Sequence, residues 1–200
     1  MTNAGRKGTV ALVAAIVMMV AGRANAQDEP TAAPDQGEPT IVVHVTNYAA
    51  LSREILDAVN GRVAMVYGVI GVRIVWVERE RPVGHLQDGR VHLNVLLLSR
   101  EMAASKFSAD GIKDGVLGQA HLPSGRAYIF CDRIVTAPGA PKYLPIPLGD
   151  VIAHEVGHLL LGANSHSSTG IMRARTNVHG RHLQGFDKTQ ARSIHMRLRN

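Results

Sequence analysis

Between residues 41 and 98 the chain alternates β-branched runs with a long helical period, and this alternation restricts the fold more than any other feature. Ile41-Val42-Val43-His44-Val45 reads as a strand, because side chains branched at Cβ fit a pleated surface. Leu51, Ile55, Leu56, Val59, Val63, Val66 and Tyr67 recur at helical spacing and predict an amphipathic helix over 49–68. Gly61 is its one awkward residue, and Gly68 and Gly71 are its terminators. Val72–Val77 is a second strand. After a turn-rich loop over 79–90, Val91–Leu98 is a third, whose continuous apolar end implies burial on both faces.

The later pattern is more broken. Residues 100–107 read as a short helix. Gly115–Leu122 reads as a short strand whose glycines suit a sheet edge. Ala127–Val135 is a further strand, with Cys131 on it as a small buried hydrophobe. Pro-rich 138–147 precedes a helix from Leu148 to Leu161, and Asp187 is the N-cap of a last helix through Leu198. No internal repeat is present. The order predicts a mixed α/β fold with one main sheet.

The N-terminal residues carry a different signal. Arg6 and Lys7 precede an apolar stretch, Val10–Ala21, and Ala24-Asn25-Ala26 supplies small residues before Gln27. This predicts a secretory signal peptide over 1–26, cleaved after Ala26, and hence a secreted or periplasmic protein. The stretch is 12 residues long, too short to span a bilayer, so no stable membrane insertion is expected after cleavage. Residues 27–39 are rich in Pro, acid and Ala and read as a flexible linker; 40–200 reads as the folded domain.

Composition then excludes several classes. A chain of 200 residues with 46% hydrophobic content builds a core, and its single cysteine excludes both a disulfide scaffold and a thiolate zinc ribbon. The net charge of +6 suggests an anionic partner. Removing Arg6, Lys7 and Arg23 with the signal leaves +3. The basic stretch 173–200 holds one aromatic residue, Phe186, and so lacks the aromatic interleaving that supports base stacking; nucleic acid is not expected as a partner.

His154-Glu155-Val156-Gly157-His158 carries the chemistry. Residues four apart share one helix face, so two imidazoles there can hold one metal ion. Glu155 lies about 100° round the helix, placed to reach water at the metal without ligating it. A catalytic zinc has three protein ligands and one open position. After His158 the chain contains no Glu, and its only acid is Asp187. Gly162 turns the chain, and His166 follows as the third ligand, ranked ahead of His179 and His182.

Residues 151–172, VIAHEVGHLLLGANSHSSTGIM, resemble the metzincin zinc peptidases, most of all the matrixin-type members. The resemblance implies one catalytic Zn2+ bound by His154, His158 and His166, Glu155 as general base, Gly162 as the turning glycine and Met172 as the Met-turn residue. The chain departs from the family spacing: the glycine falls one residue later and the third histidine two later, so the turn is longer. No tyrosine follows Met172.

The likeness extends in layout over 40–200. It implies a twisted, mostly parallel sheet with an antiparallel edge strand, a long N-terminal helix, an active-site helix and a C-terminal helix. Gly118, Gln119, Ala120 and His121 fall on the edge strand, which in the family lines the cleft and pairs with substrate backbone. No cysteine in 27–39 offers a latency switch. The expected function is that of a secreted, monomeric zinc endopeptidase cleaving protein or peptide substrates through a zinc-activated water. The alternative is a zinc-containing, non-proteolytic binding protein of the cell envelope; a basic envelope- or nucleic-acid-binding module ranks behind both.

Overall fold

The computed structural model describes residues 38–78, 89–137, 143–174 and 182–199. The expected signal peptide, most of the linker, nearly all of the 79–90 loop and His179 lie outside them. The elements run β1 (Thr40–Asn47), α1 (Arg53–Gly68), β2 (Arg73–Val77), β3 (Val91–Leu98), α2 (Arg100–Asp110), β4 (Gly118–His121), β5 (Arg126–Phe130), α3 (Cys131–Thr136), α4 (Pro145–Leu161) and α5 (Lys188–Arg199). One five-stranded sheet has the order β2-β1-β3-β5-β4. Its strands are parallel except β4, which pairs antiparallel with β5. This is the mixed α/β, mostly parallel architecture with an antiparallel edge that the sequence predicts.

Strand periodicity divides the side chains between two layers. Ile41, Val43 and Val45 of β1, Leu93, Val95 and Leu97 of β3, and Ala127 and Ile129 of β5 pack in one core with α1 and α4. Burial of each of these Val, Leu and Ile side chains contributes about 1.5–3 kcal/mol. The opposite face holds Leu96, Leu98 and Phe130 against Ala103 and Phe107 of α2, with Phe107 and Phe130 edge to face at 4.7 Å. β3 is thus covered on both faces at its apolar end.

Contacts between α1 and α4 fix the helix that carries the histidines. Ser52 caps α1 by accepting from the Ile55 N–H at 3.4 Å. Arg62, buried on α1, donates to both Asp150 oxygens on α4, at 2.7 and 3.0 Å, and to the His182 carbonyl at 3.1 Å. Burial pushes the Asp150 carboxyl up, against the downward pull of the Arg62 hydrogen bonds and charge. A Cβ on Gly149 would lie 2.6 Å from Arg62 Cγ, so glycine there lets the helices meet. The Tyr67 hydroxyl donates to the Ala153 carbonyl at 3.1 Å.

Several boundaries differ from the sequence reading. The strand predicted over 127–135 stops at Phe130, and Cys131 begins α3 instead of lying on the strand. Phe130 is paired with Leu98, where β3 itself ends, so residues beyond it have no neighbouring strand in that direction. They bury Cys131 and Ile134, three apart, by turning helical. Helix α4 starts at Pro145, inside the stretch read as a break; prolines in a first helical turn remove N–H groups that have no helical partner anyway. The edge strand is shorter than predicted, α1 begins at Arg53, and α2 runs on to Asp110, where Gly111 at φ 61° ends it.

Candidate metal centre

Helix α4 is buried along most of its length, and His154 and His158 share one of its faces. The helix stops at Gly162, whose N–H still bonds the His158 carbonyl at 2.8 Å. Gly162 has φ 97° and ψ 174°, an extended mirror-image conformation open essentially to glycine alone, and not the left-handed helical one expected for a turning glycine. From there Ala163, Asn164 and Ser165 return the chain, so that His166 meets the helix. Its Nε2 lies 3.1 Å from His158 Nε2, which is itself 3.1 Å from His154 Nε2. Among the described residues, these three histidines form the one cluster of potential metal ligands. His182 is not in it; its carbonyl is tied to Arg62.

The outer nitrogens explain why the inner ones converge. His154 Nδ1 faces the Ile171 carbonyl at 2.8 Å. A carbonyl only accepts, so Nδ1 carries the proton and Nε2 the free lone pair. His158 Nδ1 likewise faces the Gly162 carbonyl at 3.2 Å and Ser165 Oγ at 3.0 Å. The Ser165 hydroxyl gives its only proton to the Gly162 carbonyl at 2.7 Å and therefore accepts from His158. Burial pushes His154 down to about 4 and His158 below its usual range, keeping both neutral. The charges of the neighbouring imidazoles add to this, and the carbonyl bonds oppose it.

Neutral imidazoles with facing lone pairs repel unless a cation lies between them. A tetrahedral zinc with bonds of about 2.0–2.1 Å spaces its nitrogen ligands about 3.3 Å apart, close to the separations here. The donor set fits zinc: three imidazoles, the two helical ones oriented from behind, with no competing oxygen donor in the cluster.

Glu155 points from the same helix toward the edge strand. Burial raises its carboxyl to about 7, partly offset by a hydrogen bond from the Ala120 backbone N–H. A Cβ on Gly118 would lie 2.7 Å from Glu155 Cγ and 2.9 Å from Oε1. Strand alternation sends Gly118 and Ala120 to the cleft. Gln119 and His121 are not among its walls; His121 is exposed, with Nδ1 2.6 Å from Ser124 Oγ. The cleft measures about 1030 Å³ and holds His154, Glu155, His158 and His166 beneath Val116, Leu117 and Gly118.

Met172 is fully buried, and its Sδ would lie 2.5 Å from a Cβ on Gly157, between the two helical histidines. The loop before it is closed by the Ser167 N–H on the Met172 carbonyl at 2.8 Å. Ser165, the Ile171 carbonyl and the closeness of Gly118 to Glu155 are features the sequence reading missed. The only linear hint was a serine beside the third histidine.

The sequence matches no protein-family model and no curated protein. Solved structures do match. A zinc-dependent peptidase from Methanocorpusculum labreanum is 12% identical, with a TM-score of 0.49 over 76% of this chain and 99% of that one. Archaemetzincin from Methanopyrus kandleri is 14% identical, with a TM-score of 0.50 over 81% of this chain and 97% of that one. This chain shares the archaemetzincin fold.

Proposed function

We propose that this chain is a zinc-dependent endopeptidase of metzincin type, acting on protein or peptide substrates. The observation that carries the reading is the convergence of three imidazole Nε2 atoms beside a buried carboxylate in one cleft. The HExxH motif with its following His166 and Met172, and the archaemetzincin-like fold, support it. The specific motif of the matrixin-type likeness covers only residues 151–172, and we place the chain among metzincins at large. The N-terminal signal supports export, and we propose a monomer working outside the cytoplasm.

His154, His158 and His166 would hold the ion. Zinc bound there supplies Lewis acidity, which acidifies water and polarises the scissile carbonyl. Glu155 does the proton work. Its carboxylate, in the same cleft as the three histidines, is placed to take a proton from water and pass it to the leaving amine. The Ala120 N–H holds the carboxylate in place, and Gly118 leaves room for it.

The test is Glu155→Gln, assayed on a peptide library with zinc content measured in parallel. Zinc stays stoichiometric and turnover falls by about 10²–10⁴-fold. Wild-type turnover by a fully loaded variant, or a wild type that binds no zinc, overturns the reading.

A further inference from the structure

The start of α5 is built into the histidine cluster. Gln190, buried on the first turn of α5, donates from Nε2 to the Ser165 carbonyl at 3.1 Å. Ser165 is the residue whose hydroxyl accepts from His158 Nδ1, and it directly precedes His166. The other end of the Gln190 amide is also engaged: Oε1 accepts from the Asp187 N–H at 3.1 Å. Asp187 Oδ1 in return accepts from the Gln190 N–H at 2.8 Å. This reciprocal pair is a capping box, which fixes the glutamine side chain before it reaches the loop.

The same short segment touches the site at two further points. The Gly185 carbonyl accepts from the Ile171 N–H at 2.9 Å, next to the carbonyl that holds His154. The Phe186 ring lies 5.0 Å from that of Tyr67, and a Cβ on Gly157 would be 3.2 Å from Phe186 Cε1.

We propose that Gln190 is a positioning residue for the metal centre: through Ser165 it holds the long turn that presents His166 and orients His158. Resting on the zinc reading above, this gives the lengthened turn a reason to stay ordered. A longer loop has more conformations to lose when its end is fixed. An amide anchored on a capped helix removes many of them in advance. Ser165 is the node, with its carbonyl held by α5 and its hydroxyl holding a ligand ring.

The two ends of the amide allow the roles to be separated. Gln190→Glu keeps an oxygen for the Asp187 N–H and so keeps the capping box, but loses the donor to the Ser165 carbonyl. Ser165→Ala keeps the Gln190 contact and removes the hydroxyl from His158. Zinc affinity is measured by competition with a chromophoric chelator, stability by melting of the metal-free protein, and ligand geometry by the visible spectrum of the Co2+-loaded protein.

Each variant is expected to bind zinc about 10–100-fold more weakly, the usual effect of losing a partner behind a ligand. Metal-free melting of Gln190→Glu falls, because a buried carboxylate then faces the Ser165 carbonyl, so affinity is compared on protein shown to be folded, and its cobalt bands shift. The double variant loses less than the product of the single losses, because both act on one loop. Wild-type zinc affinity and an unchanged cobalt spectrum in a folded Gln190→Glu overturn the proposal. Should that variant not fold, wild-type affinity and an unchanged cobalt spectrum in Gln190→Met, which removes the same donor without a buried charge, do so. A wild type that binds no zinc fails the function reading itself, before either variant is compared.

Discussion

Gly118 of the edge strand faces Glu155 of α4 so closely that the smallest side chain would meet the carboxylate stem, at 2.7 Å from Cγ. The strand contributes a backbone hydrogen bond from Ala120 and, at Gly118, empty space.

Gly118→Ala therefore displaces the carboxylate while leaving the three imidazoles in place. Peptide turnover should fall by about 10²-fold, the scale of an ångström-sized misplacement of a catalytic group. Zinc content should stay at wild-type level. Steady-state kinetics with metal analysis checks this, and unaltered kcat/KM refutes it.

Gly157→Ala places a methyl group against Met172 Sδ and the Phe186 ring. Overpacking of a closed core costs about 1–3 kcal/mol. The contact lies between the two helical ligands, so zinc affinity should fall together with stability. Urea unfolding with a parallel zinc titration tests the coupling; a loss in neither is evidence against it.

Arg62→Ala leaves the Asp150 carboxyl buried without its bidentate partner. Breaking a buried pair from one side typically costs about 3–5 kcal/mol. Replacing both residues, as Arg62→Met with Asp150→Leu, should recover most of it. Equal destabilisation of the single and double variants would show that the ion pair is not the source.

Cys131 is buried at the start of α3, and burial pushes its thiol up to about 12 from an ordinary value of 9.0. The reactive thiolate is therefore about a thousandfold scarcer at pH 8 than for a free cysteine. Iodoacetamide should label the native protein negligibly at that pH and the unfolded protein fully. Rapid native labelling is the contrary outcome.

The helical histidine pair was legible because its geometry is local: residues 154 and 158 share a face in any α-helix. His166 was legible as the first histidine beyond a glycine. Other features depended on partners distant in the chain. Ile134 and Val135 read as strand from their branching, yet β3 had ended and left Cys131 onward without a neighbour. The fit of Gly118 to Glu155 depends on β4 packing against α4. The bond from Gln190 to Ser165 spans a segment with no periodicity to reveal it. The Asp187 cap was visible, but the glutamine three residues later gave no sign of its second contact.

The docking of Gly185–Gln190 beneath the histidines also has a bearing on time. A ribosome delivers the chain from one end, so all three ligands emerge before the residues that brace them. A partly synthesised chain therefore holds its imidazoles on an unbraced loop. On the proposal above, full affinity for metal is expected only once the last helix has folded back.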